Sequence, residues 1–208
     1  MIAHQKMVAT DGKEVLLFPL AYMYISQGEN GSYSHQGTYN IDFLGYDANG
    51  RVYQCPYYAP CTLKCVRVSS TTVDWESVEK VHFADGTLDY VTIGFTHDDN
   101  TNIHYVGEII QQGDLIGHTG TAGNVTGDHV HMNTARGHYQ GYYDVGTGQY
   151  QLVNSTHIYE TMYDNNTVIV QGYGYNWIEY QDGIASIKKT KFPFVLYARK
   201  IREKSHNR

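Results

Sequence analysis

Short runs of apolar and aromatic residues alternate with polar, glycine-containing turn signals along most of the chain. Leu63–Val68 alternates or runs apolar, and Leu88–Thr96 is rich in β-branched and aromatic side chains; both patterns favour strands. The pairs Asn49-Gly50 and Asp85-Gly86 are typical of the tight turns in β-hairpins. No segment of about ten residues shows a helical period, so helix is expected to be a minor component. The pattern predicts a mainly β, antiparallel domain over residues 12–137.

The character of the sequence changes after this domain. His138–Tyr150 is rich in glycine and tyrosine and predicts a loop, and residues 151–167 have room for a short helix. Of the 15 Lys and Arg residues, 8 lie within Lys188–Arg208, which leaves 7 basic and 20 acidic side chains in the other 187 residues. We therefore expect residues 138–208 to form a C-terminal extension packed on or attached to the first domain. Its basic tail is either a solvated end or a docking segment for an anionic polymer.

Composition excludes several classes of protein. The 208 residues are 41% hydrophobic and 17% charged, which argues against a disordered chain. A formal net charge of −6 argues against a globally basic nucleic-acid binder. No run approaches the ~20 apolar residues that a membrane span needs. The odd number of cysteines (Cys55, Cys61 and Cys65) argues against a disulfide framework.

The apolar stretch Val15–Ile25 has the composition of a signal-peptide core but not its surroundings. Pro19 interrupts the stretch, acidic residues precede it and no small-x-small cleavage site follows. We therefore expect an N-terminal strand here, and a protein made in the cytoplasm without a signal peptide.

Eleven histidines stand out, because histidine is the commonest metal ligand and proton carrier near neutral pH. His129 and His131 are two residues apart, so in a strand they project from one face. There they could share a metal ion, or divide metal binding and proton transfer between them. The glycine-rich stretch 117–127 precedes them and allows backbone to approach a ligand closely. Two half-exposed strand histidines without a function are the alternative.

A second pair with metal-ligand chemistry is His35 and Asp42, residue types that suit zinc. Their odd spacing would place them on opposite faces of a regular strand, so the chain must turn between them, and Gly37 is where it could. His97 follows an expected strand and is suited to acid–base work, with a simple turn residue as the alternative.

In this order, the pieces resemble the M23 family of zinc metallopeptidases, the lysostaphin-like peptidoglycan endopeptidases. Beside the histidines and Asp42, the resemblance rests on the stretch VGEIIQQGDLIG at 106–117 and the loop at 119–128, and it spans roughly residues 30–133. The His35/Asp42 interval is longer than the family's usual His-x-x-x-Asp and is similar to that in M23 domains of bacteriophage lysins and tail proteins. The family's lone histidine matches His97 best, with His104 as the weaker choice.

The resemblance implies an antiparallel β-sheet peptidase domain with an open groove. It implies that His35, Asp42 and His131 bind a zinc ion (Zn2+), and that His97 and His129 are catalytic. Tyr-rich segments such as 139–143 could line the groove or be ordinary sheet surface. The chain lacks a His-Glu-x-x-His motif, which excludes the helical zincin class.

The function that follows is a zinc metalloendopeptidase that hydrolyses bacterial peptidoglycan peptides, either as a phage endolysin or as a virion-associated lysin. It would reach the cell wall when released at lysis or when carried in the virion, and its basic tail could hold anionic wall polymers. The alternative is a catalytically inactive M23-fold scaffold or activator of other wall hydrolases. A secreted bacteriocin-like lysin is disfavoured by the missing leader.

Overall fold

The computed structural model describes residues 1, 3–163, 167–169, 177–181 and 184–188, with the backbone alone at 168–169, 177–181 and 184–188. The described helices are short: α1 (Ile158–Thr161) and a 3-10 helix (Thr101–Ile103). The strands of the described residues are β1 (Tyr22–Met23), β2 (Ile25–Gln27), β3 (Ile41–Phe43), β4 (Tyr46–Asp47), β5 (Gly50–Arg51), β6 (Pro56–Tyr58), β7 (Leu63–Val68), β8 (Thr72–Ser77), β9 (Val81–His82), β10 (Leu88–Asp89), β11 (Val91–Thr96), β12 (Ile109–Ile110), β13 (Leu115–His118), β14 (Val130–Arg136), β15 (Tyr142–Asp144), β16 (Tyr150–Leu152), β17 (Ser155–Thr156), β18 (Val168–Ile169), β19 (Trp177–Gln181) and β20 (Ile184–Lys188).

Eight of these strands form one sheet, in the order β12-β7-β8-β11-β14-β3-β2, with β17 beside β14. Every pair within this sheet is antiparallel. The predicted fold class, mainly β and antiparallel, is therefore confirmed. The two turn signals lie where they were expected, since β4 pairs with β5 around Asn49 and β9 pairs with β10 around Asp85-Gly86.

The core lies against the middle of this sheet. Trp75 on β8, Ile93 and Phe95 on β11 and Phe43 on β3 are at most 2% exposed. The ring of Phe43 meets that of Phe18 edge-on, with 5.0 Å between ring centroids. Because side chains alternate along a strand, this packing fixes which residues of β3, β11 and β14 face away from the core.

Two expectations about local structure need correction. Val15–Ile25 is not one strand: isolated bridges at Val15 and Leu17 are followed by β1 and β2, because Pro19 has no N–H group for a ladder. His138–Tyr150 is not a plain loop, since β15 pairs with β16 in a hairpin. The carboxylate of Asp144 accepts hydrogen bonds from the backbone N–H groups of Gly146 and Gly148, and this closes the turn.

The first residues of the predicted C-terminal extension contact the main sheet. β17 pairs with β14, and the side chain of Asn133 on β14 accepts a hydrogen bond from the backbone of Leu152. The short helix expected in 151–167 is α1. The domain division at residue 137 stays a prediction, and residues 189–208 of the basic tail lie outside the described residues. No helix of the described chain is long and apolar enough to cross a membrane.

Replacing Ile93 by alanine should lower the free energy of unfolding by about 2–5 kcal/mol, because it leaves a cavity in the middle of the sheet. Ile93 is fully buried on β11, where it pairs with Trp75 and Thr134. Leu88→Ala is the control, since Leu88 is 37% exposed and its loss should change stability by about 0.5 kcal/mol or less. Urea denaturation measures both, and equal losses would contradict this placement of the core.

Candidate metal centre

Strand register brings the residues of the site together at one end of three central strands. Asp42 on β3 lies opposite His131 on β14, and His131 lies opposite Thr96 on β11. The neighbouring pair Phe43 and Val130 faces the core. His97 follows directly after Thr96, so the end of β11 places it beside the same row.

His35 reaches Asp42 through a turn, as the spacing predicted. The backbone N–H of Thr38 donates to the carbonyl of His35, and Gly37 inside this turn has φ +76°, a left-handed conformation that favours glycine. The turn folds the chain back before β3 begins. His35 is fully buried and its Nε2 lies 3.3 Å from Oδ1 of Asp42.

Three atoms form a compact triangle that fits a metal ion. Nδ1 of His131 lies 2.9 Å from Oδ1 of Asp42 and 3.2 Å from Nε2 of His35, and the third side measures 3.3 Å. Two ligands at the ~2.0–2.1 Å bond lengths of tetrahedral zinc lie about 3.3 Å apart. Two imidazoles and one carboxylate also make up a known donor set of catalytic zinc sites, in which a fourth position stays open. The three residues therefore fit a zinc ion.

Backbone carbonyls fix the orientation of three rings. Nδ1–H of His35 donates to the carbonyl of Gly28 (3.0 Å), which leaves Nε2 as the acceptor that faces Asp42. The Nδ1–H groups of His97 and His129 donate in the same way, to Ala122 and Gly127 respectively, at 2.8 Å each. Such outer contacts set both the tautomer and the direction of a ligand ring.

His97 and His129 lie beside the triangle rather than in it. The ring centroid of His97 is 4.6 Å from that of His129 and 5.9 Å from that of His131. Nε2 of His129 lies 3.6 Å from Oδ1 of Asp42. Among the described residues, the group whose ligand atoms are all mutually close consists of His35, Asp42 and His131. The geometry thus divides the five histidine and aspartate residues into an inner three and a flanking two.

The backbone of His97 has an unusual conformation, with φ +84°. A non-glycine residue in this region carries strain of about 1–3 kcal/mol, and the surrounding contacts must hold it there. The carbonyl of His97 accepts a hydrogen bond from Ala122, and a Cβ atom at Gly120 would overlap that carbonyl oxygen. The glycine at position 120 therefore allows the loop to approach the backbone of His97.

The protonation states suit a cation. Burial would raise the pKa of the Asp42 carboxyl, but its hydrogen bonds with His131 and His35 hold that pKa well below its usual value. Burial lowers the pKa of His97 to about 4, although its hydrogen bond to Ala122 opposes the shift. Burial also lowers the pKa of His131, against the effect of Asp42. Near neutral pH the aspartate is ionised and these two imidazoles are neutral, the forms that bind a metal.

Two supporting groups were not among the residues predicted to bind metal or to be catalytic. Gln27 donates from Nε2 to Oδ2 of Asp42 (2.9 Å) and to Oγ of Ser34 (2.8 Å), so it orients the carboxylate. The sequence carried no signal for it, because Gln27 lies beyond the expected strand Val15–Ile25 and 15 residues from Asp42.

The second supporting group is Asp128, which anchors the loop before His129. It is 5% exposed and accepts hydrogen bonds from the hydroxyl of Thr119 (2.7 Å), the backbone of Gln54 (2.9 Å) and the guanidinium of Arg51. Its position beside His129 marked it in the sequence, but its partners come from distant segments.

An open groove runs over the centre, in agreement with the predicted fold class. A cavity of about 750 Å³ is lined by Asp42, His97, His129 and His131, by the charged residues Arg51 and Asp128, and by neutral residues that include two exposed tyrosines, Tyr33 and Tyr53. A second cavity adjoins it and shares His97 and His131.

His104, the weaker choice for the lone histidine, has other partners. Its Nδ1 lies 2.8 Å from the carboxylate of Glu108, and its Nε2 lies 3.0 Å from the carbonyl of Ile116. Its ring packs edge-on against Trp75. Both ring nitrogens therefore face oxygen acceptors of the surrounding fold, whereas His97 contacts the histidines of the centre.

The chain shares sequence with a curated phage protein. No family model matches the chain. Morphogenesis protein 1 of Bacillus phage B103 is 41% identical over 170 residues, which make up 80% of this chain and 44% of the phage protein. The chain thus spans less than half the length of this curated relative.

Among solved structures, the chain is similar to three peptidases at low identity. A zinc-containing peptidase from Vibrio cholerae is 19% identical, with 63% of this chain and 43% of that chain covered and a TM-score of 0.44. The catalytic domain of the antimicrobial peptidase lysostaphin from Staphylococcus simulans is 20% identical (57% and 80% covered, TM-score 0.39). The M23 metalloprotease pseudoalterin from the deep sea is 18% identical (83% and 94% covered, TM-score 0.39). Structural similarity at these identities and TM-scores does not establish an activity, so the function of this chain has to be argued from its own residues.

Replacing Asp128 by alanine should destabilise the protein by about 2–3 kcal/mol, because it leaves the Thr119 hydroxyl and the Gln54 N–H without their acceptor. Asp114→Ala is the control: its side chain is 47% exposed, so a change of about 0.5 kcal/mol or less is expected. Thermal or urea unfolding provides the comparison. An Asp128 variant as stable as the control would show that the loop is held by other contacts.

Proposed function

We propose that this chain is a zinc-dependent endopeptidase that hydrolyses peptide bonds in bacterial peptidoglycan. The observation that carries the proposal is the triangle formed by His35, Asp42 and His131, whose sides of 2.9–3.3 Å match the ligand spacing of tetrahedral zinc. The order of these residues along the chain, with His97 and the His-x-His pair, supports the M23 type of peptidase.

The three inner residues would hold the ion and the flanking two would handle the proton. A zinc ion held by these three residues would supply Lewis-acid chemistry for water and for the scissile carbonyl. The Nδ1 atoms of His97 and His129 are engaged by backbone carbonyls, so their Nε2 atoms are free to accept the proton that the attacking water releases. An imidazolium beside the carbonyl then stabilises the developing oxyanion, and it can return the proton to the leaving amine.

The groove supports a polymeric substrate. It is partly open to solvent and carries two strongly exposed tyrosines, Tyr33 and Tyr53, with relative exposures of 76% and 71%. An extended peptide can enter such a groove from the side without threading through a closed pocket. This agrees with a chain-cutting endopeptidase better than with an enzyme for free amino acids.

A role in phage particles is the more specific part of the proposal. The relative that is 41% identical is named as a morphogenesis protein of a Bacillus phage. We therefore favour a virion-associated lysin that acts on the cell wall over an endolysin released at lysis. The residues matched in this chain are less than half of that relative, so the activity of the whole phage protein is a separate question.

The direct test is digestion of purified cell walls, from Gram-positive and Gram-negative bacteria, with the released muropeptides identified by mass spectrometry. Zinc-loaded protein should release new peptide termini, and a chelator should abolish the release until zinc is restored. Intact peptides in the presence of zinc would overturn the enzymatic proposal and favour an inactive scaffold or an activator of other hydrolases.

Alanine substitutions should separate the inner from the flanking residues. His131→Ala should reduce bound zinc from about one ion per chain to almost none, because it removes one of the three ligands. His129→Ala and His97→Ala should keep the zinc but lower turnover by about 100-fold or more. His138→Ala is the control, since its side chain is 61% exposed and makes its ion-pair contact with Glu76.

Metal analysis and hydrolysis rates on the same preparations provide these readouts. Full activity of His97→Ala together with inactivity of His104→Ala would transfer the role to His104. Unchanged zinc in His131→Ala would contradict the ligand assignment.

A further inference from the structure

Beyond the metal centre, the groove continues into a second cavity of about 510 Å³. It shares Ser34, His97, Asn124 and His131 with the main groove, so a bound peptide that extends past the metal on this side reaches it. Among the described residues that line it there is no aspartate or glutamate, and Arg67 is the single Lys or Arg. The main groove, by contrast, carries the carboxylates of Asp42 and Asp128.

Arg67 is held in place by a buried acid. It lies on β7, where the register with β8 shifts between Cys65 and Arg67, and such a bulge redirects side chains. Nη1 of Arg67 donates to Oδ2 of Asp74 at 2.7 Å. The side chain of Asp74 is completely buried, whereas that of Arg67 is 41% exposed. The ion pair thus fixes one edge of the guanidinium and leaves the side chain accessible from the cavity.

Tyr142 completes the support. Its hydroxyl donates to Oδ1 of Asp74 at 2.6 Å, so both carboxylate oxygens of Asp74 have a partner. Burial raises the pKa of Tyr142 well above its usual value, which keeps this hydroxyl protonated. The guanidinium carbon of Arg67 lies 5.5 Å from the centroid of the Tyr142 ring, within the range of a cation–π contact.

A glycine in the lining of the cavity leaves room for Tyr142 and Asp74. Gly94 on β11 lines the cavity, and a Cβ atom there would overlap the Tyr142 hydroxyl and lie 2.9 Å from Oδ1 of Asp74. Any larger residue would therefore displace the pair that holds Arg67. A glycine in the middle of a buried central strand otherwise weakens a sheet. Its presence at position 94 is explained by the space that Tyr142 and Asp74 need.

A guanidinium has five N–H donors in a planar fork, and the salt bridge to Asp74 uses one nitrogen. The Tyr139 hydroxyl lies within hydrogen-bonding reach of both Arg67 and Asp74, and it accepts from one further donor of the guanidinium. Donors remain for a second carboxylate, and a planar fork binds carboxylates with two parallel hydrogen bonds. The cavity supplies no carboxylate of its own from the described residues.

We propose that Arg67 forms a carboxylate-binding subsite beside the metal centre, which selects peptides that carry a free carboxylate on this side of the scissile bond. The inference rests on the proposed peptidase function for its biological meaning, but the binding can be measured without hydrolysis. Arg67 acts on specificity, and the chemistry of bond cleavage stays with the histidines.

The test compares a matched pair of probes, N-acetylalanine and N-acetylalaninamide, which differ in a carboxylate against a carboxamide. Titration calorimetry with the zinc-loaded chain should give a dissociation constant about tenfold lower for the acid. Arg67→Gln should remove that preference. Arg136→Gln is the matched control, because Arg136 also pairs with an aspartate (Asp85, 2.6 Å) but lines neither cavity.

A second measurement uses the unaltered protein, in case Arg67→Gln does not fold. With 15N-labelled arginine, the guanidinium signals of Arg67, assigned by Arg67→Lys, should shift on addition of the acid but not of the amide. Absence of that shift overturns the proposal. So does an acid preference that survives in Arg67→Gln, because it would then come from direct binding to zinc.

Hydrolysis separates this proposal from the proposed function. For a cleavable peptide prepared as the free acid, Arg67→Gln should raise KM about tenfold with kcat nearly unchanged, and the carboxamide form should be insensitive to the substitution. A purely structural role of Arg67 would lower activity on both forms equally and would overturn the subsite. If the chain binds the acid through Arg67 and cleaves neither peptide, the subsite stands and the peptidase proposal fails.

Discussion

The buried carboxylate of Asp42 is the group on which the rest of the site depends. Taking a charged carboxylate out of water costs several kcal/mol unless other groups compensate it. Here one oxygen lies close to ring nitrogens of His35, His131 and His129, and the other accepts a hydrogen bond from Gln27. The four partners come from a turn, a central strand, the residue before that strand and an edge strand. Each of these segments is therefore held in place by the same charge.

The sheet allows these segments to meet at Asp42 because one of its faces packs in the core and the other faces the groove. On β14, Val130 and Met132 are fully buried in the core cluster, while His131 between them faces the groove. The core packing fixes the register, and the register in turn fixes the height of His131 relative to Asp42. Stability and chemistry are thus separated by the two-residue period of the strand. A slip of one residue would bury the histidine and expose its apolar neighbours.

The parts of the fold and site that follow from local patterns could be predicted from the sequence. The His129/His131 spacing, the need for a turn at Gly37 and the hairpins at Asn49-Gly50 and Asp85-Gly86 are all encoded within a few residues. What escaped prediction depends on partners distant in the chain. Gln27 meets Asp42 across a strand pair, Asp128 accepts from Thr119 and from the segment 51–54, and the β15–β16 hairpin is closed by one aspartate in a glycine-rich stretch. No periodicity encodes these contacts, so tertiary packing decides them.

The loop between β13 and β14 links the positions of the two flanking histidines, His97 and His129. Gly120 pairs with His129 through two backbone hydrogen bonds, and two residues later Ala122 exchanges hydrogen bonds with the backbone and ring of His97. Residues 120–122 therefore hold the backbone of His129 and both the backbone and the ring of His97. A substitution or a bound molecule that shifts this span must displace His97 and His129 together. The positions of His97 and His129 are therefore coupled through residues 120–122.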